Sequence, residues 1–188
     1  MKVLVLMGSP RKKGNTAKIT GWVKDEMVFL GHDVDYIYLN EKNISGCMSC
    51  ASCKDQAQLT ACIQKDETPQ ILQKMAQADL ILFASPVYFW GFTAQMKALI
   101  DRTFSLYSKY NQPGHSSLIQ GKKTALLVTG GGAFKDNAEP LFLAFDRIQK
   151  PWKTIKSGEM FIGPCTTPDK LGDNTMDKAR QFANKICQ

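Results

Sequence analysis

Five short apolar runs punctuate the chain, at Val3 to Met7, Val34 to Leu39, Leu80 to Ala84, Thr124 to Thr129 and Met160 to Ile162. Each is bounded by glycine, proline or polar residues and is too short for a helix of ordinary length, so each predicts a strand. Between them the apolar period changes. Ile19, Trp22, Val23 and Met27 recur at helical spacing, as do Ile71, Leu72, Met75 and Ala78, and then Met96, Leu99, Ile100, Thr103, Phe104 and Tyr107. Leu141, Phe142, Phe145 and Ile148 form a fourth stripe, and Met176, Ala179, Phe182, Ala183 and Ile186 a fifth. Such stripes are the core-facing sides of amphipathic helices. Apolar strands alternating with such helices are the pattern of a parallel sheet covered on both faces, which makes the fold class α/β.

The alternation suits the flavodoxin-like doubly wound order 2-1-3-4-5, in which ligands bind beyond the carboxyl ends of the strands, at the switch point. Three segments follow strands there. "GSPRKKGNT", Gly8 to Thr16, joins the first strand to the first helix. Backbone N–H groups and the positive end of the helix dipole favour an anion at that place, Ser9, Asn15 and Thr16 can donate to it, and Arg11 adds charge. The glycine and lysine spacings match neither a dinucleotide fingerprint nor a Walker A loop, and a cationic turn capped by Asn15 or Thr16 would also produce the segment. "SPVYFWGFTAQMKALIDR", Ser85 to Arg102, follows the third strand with four aromatic residues between Tyr88 and Phe92. Aromatics at a strand's carboxyl end suit a flat ring system or a subunit contact. "TGGGA", Thr129 to Ala133, lets backbone approach a ligand closely or simply turns the chain.

Composition narrows the field. A chain of 188 residues is read as one domain, residues 1–188, with a cysteine-rich insertion at about 43–66 between the second and third strands, and it needs no disulfide staple to bury its core. The N-terminal apolar run is too short for a signal-peptide core or a membrane span, so a cytoplasmic location is expected, with no membrane partner. The 24 basic and 17 acidic residues leave a net charge of +7. The cations are spread along the chain without a nucleic-acid-reading module, so no nucleic-acid partner is expected. With two histidines, His32 and His115, a histidine-rich metal site is excluded.

The cysteines are distributed unevenly. Cys47, Cys50 and Cys53 form C-x2-C-x2-C and Cys62 follows after eight residues, leaving only Cys165 and Cys187 elsewhere. In a reducing compartment clustered thiols hold a metal or carry redox chemistry more often than they form disulfides. The spacing permits a [4Fe–4S] cluster, as in the compact ferredoxin run, and also permits zinc on four thiolates or thiols without a ligand. Cys165 is a second candidate for the fourth ligand.

"GSPRKKGNT" followed by "SPVYFWGFTAQMKALIDR" resembles the NADPH-dependent FMN reductase branch of the flavodoxin-like superfamily, in order and spacing over essentially the whole chain. The resemblance implies FMN, its phosphate on Ser9, Arg11, Asn15 and Thr16, its ring along Pro86, Val87, Tyr88, Phe89 and Gly91, with Gly130, Gly131 and Gly132 as a third wall. The cysteine segment is similar to that of the iron–sulfur flavoproteins of the same family, which implies a [4Fe–4S] cluster on Cys47, Cys50, Cys53 and Cys62. The chemistry is then borne by the cofactors and no catalytic acid or base is needed. The expected function is an oxidoreductase that passes electrons between a low-potential carrier such as ferredoxin and a small-molecule acceptor; the positive charge suits an acidic carrier. Two alternatives stand beside it. One is a cluster-free NAD(P)H-dependent FMN or quinone reductase with Trp90 and Phe92 at the substrate, the other a flavin-binding protein with a structural four-cysteine zinc loop. The aromatics at Tyr88 to Phe92, Tyr107 and Tyr110 predict a homodimer or homotetramer.

Overall fold

Val3 to Met7 are buried on both faces because the strand they form, β1 (Lys2–Met7), lies inside a parallel sheet. The computed structural model describes residues 1–54 and 62–188; residues 55–61, within the expected insertion, lie outside the described residues. After β1 come α1 (Asn15–Phe29), β2 (Asp33–Tyr38), α2 (Thr68–Gln77), β3 (Leu80–Pro86) and α3 (Ala94–Arg102). A small ribbon of β4 (Tyr107–Ser108) and β5 (Ser116–Ser117) intervenes before β6 (Lys123–Thr129), α4 (Glu139–Trp152), β7 (Ile155–Ile162) and α5 (Asp173–Ile186). The main sheet is parallel throughout, in the order β2-β1-β3-β6-β7, which is 2-1-3-4-5 when only its own strands are counted. That is the expected order.

Strand alternation divides the core into two layers. Val3, Val5 and Met7 face α1 and α5, joining Ile19, Val23, Phe182 and Ile186. Leu4 and Leu6 point the other way, into a layer with Ile71 and Met75 of α2, Leu99 of α3 and Phe145 and Trp152 of α4. Phe83 is central to that second layer. Its ring stacks on Trp152 at 5.3 Å between centroids and meets Phe145 edge-on at 5.5 Å. The indole N–H of Trp152 donates to the Thr103 hydroxyl at 2.9 Å, which satisfies the polar end of the largest fully buried side chain among the described residues.

β1 and β6 start one residue earlier than the sequence expectation, β3 runs two residues further, to Pro86, and three other elements differ as well. The third helical stripe was expected to reach Tyr107, but α3 ends at Arg102 and a 3₁₀ turn covers Thr103–Leu106. The Thr103 and Ser105 hydroxyls donate back to the carbonyls of Ile100 and Arg102, at 2.6 and 3.0 Å, and so compete with helix continuation. β2 is shifted by one residue, and β7 begins five residues before Met160. β7 is an edge strand with polar residues on its open side, so its apolar run understates its length. Among the described residues no helix is long and apolar enough to cross a membrane.

Candidate functional site

Four loops at the carboxyl end of the sheet enclose a cavity of about 460 Å³. The β1–α1 turn contributes Ser9, Arg11, Lys13, Gly14, Asn15 and Thr16; the segment after β3 contributes Pro86, Val87 and Tyr88. Thr129, Gly130 and Gly131 close a third side, and Cys165, Thr166, Thr167 and Pro168 a fourth. The turn is held by its own backbone: Gly14 N–H donates to the Arg11 carbonyl at 3.1 Å and Arg11 N–H to the Ser9 hydroxyl at 3.2 Å. The cap that the alternative reading assigned to Asn15 or Thr16 is not made. Gly14 is the N-cap of α1, which has no side-chain cap and no acidic residue in its first turn. Asn15 instead donates its amide to the Thr166 carbonyl at 3.1 Å, and the Thr16 hydroxyl pairs with that of Thr129 at 2.7 Å. Uncapped first-turn N–H groups beside Arg11 and Lys13 are a built-in receptor for an anion.

The rest of the wall suits a larger ligand with hydroxyls and a flat ring. Asn15 Oδ1 is buried without a partner, an acceptor for a ligand hydroxyl. A side chain on Gly130 would bring its Cβ to 2.9 Å from Asn137 Nδ2 and 3.1 Å from the Phe161 ring, so anything larger than glycine would force this wall or its neighbours to shift. The cavity is within the size range of cofactor sites. The donor set, the orphaned acceptor and the apolar lip of Pro86 and Val87 together fit FMN.

Of the twelve residues expected around the ligand, Phe89, Gly91 and Gly132 lie off this lining. Phe89 and Trp90 form the tip of a two-residue hairpin, with Tyr88 and Gly91 exchanging both backbone hydrogen bonds at 3.0 Å. Both tip residues are left-handed, with φ of 44° and 60°, and Phe89 is 94% exposed. Bulky residues adopt this conformation only at a cost. The fourth wall is what the sequence reading missed. It follows β7, and the rule that placed the other three loops applies equally to "GPCTTPDK", whose threonines and proline are the signal. Cys165, weighed above as a cluster ligand, belongs to this cavity: its thiol donates to the Ile162 carbonyl at 3.2 Å, and burial pushes its pKa up against the Gly130 contact.

Cys47, Cys50, Cys53 and Cys62 all line a second, much smaller cavity of about 20 Å³, with Arg102, Phe104 and Ser105 behind them. Ser49 and Ala51, the residues between the first thiols, are left-handed at φ 56° and 57°, and this tight winding turns the cysteines to one side. Burial raises the pKa of Cys53, opposed by Lys54 and reinforced by Cys62 and Cys47, while a hydrogen bond with Ser52 lowers that of Cys50. Lys54 is anchored away from solvent, donating to the carbonyls of Phe104 and Tyr107 at 2.5 and 2.8 Å with its ammonium 4.1 Å from the Phe104 ring centre. Burial works against the Arg102 guanidinium, but its hydrogen bonds to Asp66, helped by Cys62, carry its pKa up. Among the described residues no three ligand-type side chains stand together at metal-binding distances. The soft sulfur donors fit an iron–sulfur or zinc centre in kind, and Cys47 and Cys50 are exposed.

A parallel sheet in this order, with an anion receptor at its switch point, defines the flavodoxin-like class of α/β proteins. The chain belongs to the NADPH-dependent FMN reductase family, whose model matches residues 1–139, and it is an oxidoreductase. Among curated proteins it is 34% identical to an iron–sulfur flavoprotein of Methanosarcina thermophila over 188 residues, covering all of this chain and 94% of the other. It is 29% identical to an iron–sulfur flavoprotein of Archaeoglobus fulgidus, covering all of this chain and 80% of that one. Among solved structures, an FMN-dependent NADH-azoreductase of Bacillus anthracis in complex with FMN superposes with a TM-score of 0.72 at 11% identity over the full length of both chains. The NAD(P)H:quinone oxidoreductase of Methanothermobacter marburgensis gives 0.73 at 14% identity, over 100% of this chain and 98% of that one. At such identities these two structures speak to the fold.

Proposed function

We propose that this protein is an FMN-binding redox flavoprotein whose Cys47, Cys50, Cys53 and Cys62 hold a [4Fe–4S] cluster, and that it passes electrons between a low-potential carrier such as ferredoxin and a small-molecule acceptor. The observation that carries this reading is that all four thiols, from both sides of residues 55–61, line one cavity. The names of the two curated relatives point the same way. When bound, FMN supplies hydride and single-electron chemistry and a cubane cluster supplies one-electron transfer. The protein's part is binding and orientation. Ser9, Arg11 and the first-turn N–H groups of α1 would hold the phosphate, Asn15 would serve the hydroxyls of the sugar chain, and Pro86, Val87 and Tyr88 with Gly130 and Gly131 would confine the ring. Phe89 and Trp90 project beyond the cavity mouth and suit contact with a second copy in a homodimer or homotetramer.

A second reading is a cluster-free NAD(P)H-dependent reductase of FMN or a quinone. It is favoured by the absence, among the described residues, of ligands already at metal-binding distance. One measurement separates the two: the absorbance spectrum of freshly purified, oxygen-free protein together with its iron, zinc and acid-labile sulfide. Flavin bands with about four irons and four sulfides per chain are expected. Flavin without iron supports the second reading, zinc without sulfide makes the cysteine loop structural, and a colourless protein that does not take up FMN overturns both redox readings.

A further inference from the structure

Arg102 is a cation in an unusual place. It ends α3, is 2% exposed, and lines the cysteine cavity. Nη1 donates to Asp66 Oδ2 at 2.7 Å and to the Ser45 carbonyl at 3.0 Å, and Nη2 donates to Asp66 Oδ1 at 3.2 Å. Asp66 also accepts from the Ser45 N–H at 3.0 Å. Ser45 lies two residues before Cys47 and Asp66 four residues after Cys62, so one guanidinium grips both ends of the cysteine segment. The first three cysteines are turned together by the left-handed residues Ser49 and Ala51. Cys62 stands outside that run, and its segment is tied to the first by this clamp and by Gln64, whose amide donates to the Gly46 carbonyl at 3.0 Å.

The clamp does not use the whole of Arg102. Its Nε–H is buried without a partner. A buried cationic donor with no acceptor is costly, and native structures keep such groups where something else completes them. Asp66 balances the charge on the Nη side only. The cavity that Arg102 lines is shared with the four thiols, whose deprotonated forms are anions and hydrogen-bond acceptors.

We propose that Arg102 is a positioning residue for the metal centre, its Nε–H donating to a cluster sulfur beside Cys62 and its buried charge raising the cluster's reduction potential. This rests on the reading of the four cysteines as ligands of an iron–sulfur cluster. A core on four thiolates becomes more negative when it gains an electron, so a fixed cation and a hydrogen bond to sulfur favour the reduced form. Arg102 and Asp66 then act in opposite directions. Removing the cation disfavours reduction, whereas removing its counter-ion leaves the cation uncompensated and favours it. A purely structural clamp has no such sign.

The test is a redox titration of the cluster followed by electron paramagnetic resonance in oxygen-free holoprotein, for wild type, Arg102→Gln, Arg102→Lys and Asp66→Asn, with iron and sulfide assayed on each sample. Arg102→Gln is expected to lower the midpoint by about tenfold in the one-electron equilibrium, ~59 mV. Arg102→Lys, which keeps the charge, is expected to stay closer to wild type, and Asp66→Asn to move upward. Unchanged midpoints, or Arg102→Gln and Asp66→Asn moving the same way, overturn the proposal. If Arg102→Gln does not fold, the direction of Asp66→Asn decides alone: upward supports the role, while no change or a fall overturns it. A wild-type protein without iron and sulfide overturns the cluster reading itself, a result distinct from a loaded cluster indifferent to Arg102.

Discussion

At the scale of single residues, the hairpin at Tyr88–Gly91 is a place where local preference has been overruled. Two-residue hairpins favour Asn-Gly at the tip because both positions need positive φ, yet here the tip is Phe89-Trp90. Each bulky residue held left-handed costs about 1–2 kcal/mol. The double variant Phe89→Asn, Trp90→Gly is expected to be more stable by about 1–2 kcal/mol, with a rise in Tm of roughly 2–4 °C per kcal/mol. Turnover with NADPH or with a reduced carrier is expected to fall at the same time, since strain of this kind collects at working sites. A Tm equal to wild type in thermal denaturation removes the strain argument. Gly130 makes the opposite case. A methyl there meets Asn137, which is already tied to the Ala133 carbonyl at 2.9 Å and cannot step aside freely. Gly130→Ala is expected to weaken FMN by about tenfold, equivalent to ~1.4 kcal/mol, in a fluorescence-quenching titration; unchanged affinity takes this glycine out of the wall.

At the scale of elements, the contact between β3 and α4 stands out, because Phe83, Phe145 and Trp152 form one aromatic stack. Phe83→Ala removes the shared ring and is expected to cost ~3–5 kcal/mol in urea unfolding; a cost below ~1 kcal/mol means the layer repacks. Elements of this sort were legible in the sequence, since Leu80 to Ala84 and the stripe of Leu141 to Ile148 are decided by burial on a fixed period. Ends of elements were not. Thr103 and Ser105 end a helix through hydrogen bonds from their hydroxyls to specific carbonyls, and period alone carries no trace of that. The same holds for the first turn of α1. Its sequence offers two capping residues, and only the three-dimensional partners Thr166 and Thr129 draw them away and leave the N–H groups for a ligand. Three cavity walls stood out through their cations, aromatics or glycine run, whereas the fourth follows β7, whose end at Ile162 was read from the sequence but whose loop, Gly163 to Lys170, carries no run of cations, aromatics or glycines.

At the scale of the whole molecule, the buried pair of Arg102 and Asp66 couples stability to pH. Burial pushes the Asp66 carboxyl up, but the hydrogen bonds from Arg102 and from the Ser45 and Thr68 backbone outweigh it and hold the pKa at about 2. A carboxylate depressed in the folded state stabilises it fully above its unfolded value near 3.8 and stops doing so as pH falls through about 2. Wild-type unfolding free energy is therefore expected to decline between about pH 4 and pH 2. Asp66→Asn is expected to lose that part of the slope and to be less stable at pH 7 by ~3–5 kcal/mol, because a buried charge is left alone. Parallel slopes for the two proteins over that interval in urea titrations contradict the assignment. One further consequence lies in how far apart the walls of the larger cavity are along the chain. Asn15 and Lys18 reach the carbonyls of Thr166 and Pro168, contacts that span 151 and 150 positions. The anion receptor is therefore synthesised about 150 positions before the wall that completes it. A cavity closed by contacts of that span takes shape only once the sheet is assembled around β7, so the receptor is an outcome of folding rather than a seed for it.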